Sequence, residues 1–524
     1  MFSAPSTTTS GRDVSRDGLR ARLAAHMLSH YGPLWAAVHR AAPVHRQLNS
    51  SLTHLAMRNL PTRPEPLSAR SSYTSWPSMI DRSYIGRQLP PVELSPDLPT
   101  PAETAELFRR NGSTRPSERS SALLPAWSQW FTDGFLHRGN DPDPARIDST
   151  HIVDARPLYG HTEQISDTLR AFEGGRLKSR FIGDAEFPPL LCAGGRIKDE
   201  FSALAPVRFE QIPRAKRDTL FALGGDGSNS TIGTQLFSTL FLREHNRIAG
   251  IIAAAHAGWD DERIFQTCRN VMIVLLTRVA LENYVNHLTP FYFRFVLDPR
   301  RTYRGPWIQP NWVTAEYSLS YRWHSMIPSE YRIDGTTVPL ADTLANGKLV
   351  EERGLGPLFE DLSTQSAGKL GLFNTDGSLL PIEEASISMS RELKMASYND
   401  YREFAGLQRV TDWRQISGDT TVIEGLRERY RSVDDIDYYV GQAAEEPAPG
   451  ALWGRLMGRM FVVAAFSELL NHPLLAPRLF TPQTFSPEGM RIIQSTHSFS
   501  QIVNRNTPED KTTHLVTFGR DTPR

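Results

Sequence analysis

Cysteine is nearly absent from this chain. Its 524 residues hold two, Cys192 and Cys268, far apart and without the spacing of metal ligands. One disulfide is conceivable, but two buried free thiols in a reducing compartment are the expectation. Excess charge is missing too: 58 Lys and Arg balance 58 Asp and Glu. A neutral balance gives no electrostatic reason to expect nucleic acid as a partner. No run approaches the ~18–20 apolar residues that span a bilayer, so no crossing is expected. Met1 to Arg20 is Ser/Thr-rich, carries several Arg and lacks an apolar core, so no signal peptide is expected either. The glycine-rich run Phe221–Gly227 lacks the Lys-Ser/Thr of a phosphate-binding loop and follows no clear strand.

What is present is a 40% hydrophobic share, ample for a core, and no internal repeat. Residues 1–14 have the small polar composition of disorder. Residues 15–60 carry amphipathic helical patterns broken near Gly32-Pro33 and Pro43. Such helices either pack on a body or lie in a membrane interface, and the pattern allows both. Residues 61–524 read as one mainly helical domain. Two long helices run between Gln235 and His287, with apolar positions at i, i+3, i+4 and i+7. Phe172–Lys178 reads as a hairpin, because Gly174-Gly175 permits the positive φ of a tight turn.

The informative stretch is Glu316-Tyr-Ser-Leu-Ser-Tyr321-Arg-Trp-His324-Ser-Met-Ile-Pro328. It predicts one helix closed by Pro328, with Tyr321 and His324 on one face. An imidazole from such a helix is a common axial ligand of haem iron, and a tyrosine beside that haem can be oxidised to a radical. Taken alone, the pair is equally a core tyrosine and a core histidine. Arg243, Glu244, His245, Asn246 and Arg247 point all around a helix and read as buried salt bridges and packing.

Tyr321-Arg-Trp-His324 with Met326 and Pro328 resembles the proximal signature of the cyclooxygenases, within the animal-type haem peroxidases. Leu242-Arg-Glu-His-Asn-Arg247 is similar to that superfamily's most recognisable helix, and the resemblance runs from about residue 28 to about residue 500. It implies a mainly α haem peroxidase fold with a few short β-hairpins. It also implies a haem b held non-covalently, because Thr231 and Ile232 stand where myeloperoxidase bonds covalently to haem. His324 would be the iron ligand and Tyr321 the radical residue. Leu124–Phe135 matches the helix over the haem's open face, keeping its glutamine as Gln129 but placing Asp133 where histidine belongs. An ionised carboxylate cannot protonate a leaving hydroxide, although a raised pKa restores some acid function. His137 replaces the histidine only if the register differs. Gly134 stands at a lost calcium-ligand position.

Arg58 matches the arginine that grips a fatty-acid carboxylate, a role suited to a guanidinium. Tyr439 aligns with the tyrosine behind the proximal histidine and is expected to orient His324 through a water. Ala465 falls at the serine acetylated by aspirin, so acetylation there is not expected. The implied activity is dioxygenation of an unsaturated fatty acid with O2, by tyrosyl-radical hydrogen abstraction and O2 addition to give a hydroperoxide. The alternatives are a peroxidase using H2O2 on phenolic or other small substrates, and a lapsed haem-binding homologue. The missing EGF-like module, signal peptide and disulfides point to a bacterial, cytoplasmic member. Contact with the inner face of a membrane and a homodimer are both compatible with the resemblance.

Overall fold

The computed structural model describes residues 26–58, 82–137, 141–206, 208–305, 307–308, 310–448 and 450–520. The expected disorder of residues 1–14 lies outside them, as does the side chain of Arg58, whose backbone ends a helix.

Helices dominate, as expected. Among the described residues the strands form four two-stranded antiparallel pairs. Three are local hairpins; the fourth joins Pro116–Ser121 to the distant Ser366–Gly368. Gly174 and Gly175 adopt φ of 60° and 69°, and the chain folds back so that Arg170 bridges Leu177.

Helices α1 (Gly32–Arg40) and α2 (Ala42–Arg58) lie against the segment 291–301. Trp35 is buried edge-on to Phe293 at 5.4 Å. The Asn49 amide exchanges hydrogen bonds with the Val296 backbone at 3.0 and 3.1 Å. One side of the pair therefore packs on the body. The other exposes Leu34, Val44 and Leu55, and Met27 and Tyr31 just before α1 are exposed as well.

The centre is built from α3 (Leu123–Phe135), α4 (Ile232–Ala255) and α5 (Asp261–Val279). Helix α3 buries Leu124, Trp127, Trp130, Phe131 and Phe135. It crosses α4 closely, because a Cβ on Gly233 would meet the Ala126 Cβ at 2.5 Å. Only glycine permits that approach. The Trp130 indole donates to Ser238 Oγ across the same interface at 2.9 Å. Helix α4 starts at a capping box between Thr231 and Thr234, which satisfies the first free amides. Helix α5 starts at Asp260 and runs into a π-helical turn over Ala280–Val285.

The α5 region amends one expectation. Asp261–Leu288 is long and apolar enough to cross a membrane, with a hydropathy of 1.4, but its apolar window is 83% buried inside the body. Its apolar surface is already spent on packing. Cys192 and Cys268 are both free and buried, as expected. The Arg243–Arg247 run also behaves as read. Arg243 holds the carbonyls of Glu186 and Asn506, and buried Glu244 pairs with Arg247 and Arg505.

Candidate active site

The predicted Tyr321–His324 helix is broken. Helix α6 (Ala315–Ser320) is capped by Thr314 and ends at Tyr321, whose φ and ψ are −94° and 11°. Trp323 has left helical geometry, and His324–Met326 forms a separate 3₁₀ turn. Local contacts hold the break. The Trp323 indole donates to the Ser320 carbonyl at 2.8 Å, while its ring stacks on Tyr321 at 5.0 Å. Tyr321 and His324 therefore do not share one helical face. They leave the chain on two sides of a kink.

On one side Tyr321 sits 8% exposed among Phe135, Tyr317, Trp323 and Phe461. Its hydroxyl donates to Tyr284 at 2.9 Å, and Tyr284 meets Ser128 Oγ at 2.9 Å. Ser128 gives its own proton to the Leu124 carbonyl at 2.9 Å. The chain of donors thus runs one way, from Tyr321 through Tyr284 to Ser128. Burial pushes the Tyr321 phenol well above its usual range, and neighbouring Tyr284 adds to this. Tyr284 is supplied by the π turn of α5. A π turn leaves no period in the sequence pattern, so nothing there singled out Tyr284.

On the other side His324 Nδ1 lies 3.3 Å from Glu383 Oε1. The distance suits an ion pair, but the alignment falls short of a hydrogen bond, leaving Nδ1 a buried polar atom without a partner. Glu383 is 1% exposed, in the first turn of α7 (Leu380–Glu392). Thr375 donates to its Oε1 at 2.9 Å, and Tyr439, on α8 (Tyr438–Ala444), donates to its Oε2. Tyr439 therefore meets the carboxylate that faces the histidine. Glu383 was missed in the sequence, where an acid in the first turn of a helix reads as a dipole partner.

Gln129 and Asp133 lie one turn apart on α3. The Gln129 amide donates to Ser230 at 3.1 Å and accepts from Thr231 at 3.0 Å, which ties α3 to the start of α4. Asp133 rests against Gly227, where a Cβ would meet its Oδ2 at 2.7 Å. Burial raises its carboxyl to about 6, against the pull of His137, Arg156 and Arg322 and with help from Asp226. His137 is not a substitute base. It is clamped between Asp148 at 2.6 Å and Asp226 at 2.8 Å, and the two carboxylates raise it to about 9 in spite of its burial. Gly134 stands over Asp154 with nothing closer than 3.8 Å to its would-be Cβ.

Helix α9 (Arg455–Leu470) carries Phe461 and buried Ala465. Ser467 donates to Asn311 at 2.8 Å and is thereby engaged.

The donor set fits a haem. One His324 ring nitrogen faces a carboxylate, and the other takes no hydrogen bond among the described residues, which leaves it for iron. Gln129 and Asp133 supply a polar, partly exposed face on α3. Thr231 caps α4 and donates to Gln129.

Comparison with known proteins agrees. Residues 139–518 match the animal haem peroxidase family. The chain belongs to that family: it is an oxidoreductase with a haem cofactor. Prostaglandin G/H synthase 2 of Equus caballus is 28% identical over 496 residues, covering 91% of this chain and 80% of its own. Prostaglandin G/H synthase 1 of Rattus norvegicus is 28% identical, with 94% and 81% covered. These matches uphold the cyclooxygenase-like resemblance. Among solved structures, a variant of Oryza sativa fatty acid alpha-dioxygenase with palmitic acid gives a TM-score of 0.70 at 16% identity, over 97% of this chain and 98% of that one. Peroxidase A of Dictyostelium discoideum gives 0.67 at 19% identity, over 84% and 95%.

Proposed function

We propose that this protein is a haem-dependent dioxygenase of unsaturated fatty acids, with Tyr321 as the hydrogen-abstracting residue. The observation that carries the reading is the buried pair of Tyr321 and Tyr284 in an aromatic pocket, reached from the same kink that presents His324. The relatives point the same way: the rice enzyme is a fatty acid alpha-dioxygenase and the mammalian proteins are prostaglandin synthases.

Haem b bound non-covalently at His324 supplies a one-electron oxidant. Glu383, 3.3 Å from Nδ1, is placed to orient the imidazole, while Tyr439 and Thr375 hold Glu383 in place. Tyr321 would pass an electron to that oxidant and its phenolic proton to bulk water, leaving a neutral radical within hydrogen-bond reach of Tyr284. The radical oxygen takes a hydrogen atom from an allylic carbon of the substrate. O2 adds to the resulting carbon radical, and the peroxyl group recovers a hydrogen atom from Tyr321, giving a hydroperoxide and restoring the radical. The sum is fatty acid plus O2 to hydroperoxide. Dry aromatic walls around Tyr321 keep water and stray reductants from the radical. Arg58 binds the carboxylate in this reading.

A second reading, a peroxidase acting on small substrates, draws on Asp133. A carboxyl raised to about 6 is about one-tenth protonated at pH 7, enough for a slow acid and too little for a fast one.

Oxygen consumption by the haem-loaded protein with linoleate tests the proposal. Uptake is expected in the wild type and lost at least about a hundredfold in Tyr321→Phe, with the Soret band unchanged. Equal uptake by the two proteins would rule out the radical role.

A further inference from the structure

Behind Tyr321 the pocket wall carries polar groups that the reaction above does not use. Glu468, on α9, is 1% exposed, and its Oε1 has no hydrogen-bond partner. Oε2 is held by the Asn311 amide. Glu468 lies seven residues after Phe461, on the same face of the helix. Phe461 packs on Tyr317 at 5.6 Å and on Tyr321 at 4.7 Å. Glu468 interacts electrostatically with both tyrosines. The Tyr317 hydroxyl, 2% exposed as a residue, takes no hydrogen bond among the described residues. Next to this wall is a small cavity lined by Phe135, Val153 and Asp154 among others, and Phe135 stacks on Tyr317 at 6.2 Å.

An unmatched buried carboxyl oxygen in an aromatic wall is costly unless something satisfies it. Burial pushes the Glu468 carboxyl well above its usual range, and Asp154 adds to this. Arg82 opposes the shift, but its guanidinium is taken by the carbonyls of Thr150 and Asn311. The Val153 amide also favours ionisation without completing a hydrogen bond. A neutral carboxyl whose Oε2 already accepts from Asn311 presents its proton on Oε1. The Tyr317 hydroxyl, which feels the charge of Glu468, supplies a second donor on the same wall.

We propose that Glu468 and Tyr317 form a specificity site for an oxygen function on the acyl chain, so that the preferred substrate is an unsaturated fatty acid bearing a hydroxyl or keto oxygen a few carbons from the abstracted hydrogen. This rests on the fatty-acid reading. A plain hydrocarbon chain leaves both donors unpaired, and sites built to hydrogen-bond an oxygen discriminate strongly against its absence.

The test is oxygen uptake by the haem-loaded full chain with linoleic acid and with its monohydroxy analogues, the hydroxyl placed on either side of the diene. One hydroxylated acid is expected to show a kcat/KM roughly tenfold or more above linoleate. Glu468→Leu should bring that ratio near one, as should Tyr317→Phe in part. Glu468→Gln keeps a donor and the side-chain shape, so it should keep most of the preference. A ratio near one in the wild type overturns the inference alone, and the site then holds a water. A ratio that survives Glu468→Leu also overturns it. No uptake with any acid overturns the fatty-acid reading as well.

Discussion

At the scale of single residues, the sharpest departure from the family pattern is Asp133. A histidine in that place takes and returns a proton near neutral pH; a carboxylate does so only when protonated. With its carboxyl raised to about 6, the acid form gains as pH falls through that value. Guaiacol oxidation with H2O2 should therefore rise towards acid pH in the wild type, and a flat profile between pH 5 and 8 would deny Asp133 this role. Asp133→His should raise the neutral-pH rate by about a hundredfold, the usual size of one general acid–base contribution.

At the scale of elements, the C-terminal end of α3 is pinned by charge. His137 bridges Asp148 and Asp226, and Arg156 joins Asp148 at 2.6 Å. The folded-state value of about 9 lies above the ordinary 6.5. The clamp thus stabilises fully below pH 6.5 and is lost as pH rises through about 9. The thermal midpoint should fall across that window, and His137→Asn should flatten the slope. Part of the surroundings was legible in the sequence. The apolar period of the long helices between Gln235 and His287 and the turn at Gly174-Gly175 follow from local rules, and α3 follows from the family resemblance. The expected run of one helix to Pro328 did not hold, because α6 ends at Ser320. The kink between Tyr321 and His324 was not legible. It depends on the Trp323 indole reaching the Ser320 carbonyl, a contact that no spacing reveals. Tyr284 escaped notice for a similar reason, since the π turn shifts it out of helical register. Glu468 was readable in principle, as a lone acid in an apolar helix, yet its unmatched oxygen is known only from its surroundings.

At the scale of the molecule, α1 and α2 give one face to the body and turn Leu34, Val44 and Leu55 outward, with Met27 and Tyr31 exposed just before α1. We infer that this face rests on a lipid surface, where a fatty acid could enter without crossing water. The protein should co-sediment with phosphatidylcholine vesicles, and Tyr31→Asp with Leu34→Asp should abolish most of that binding. Recovery of the double variant with the vesicles would place the contact elsewhere.

The claim on which the account turns is that Tyr321 abstracts the substrate hydrogen, and electron paramagnetic resonance observes that step. The haem-loaded protein should show a tyrosyl signal after peroxide treatment. Anaerobic addition of linoleate should replace it with the signal of a carbon-centred radical on the fatty acid. The same conversion in Tyr321→Phe would contradict the account.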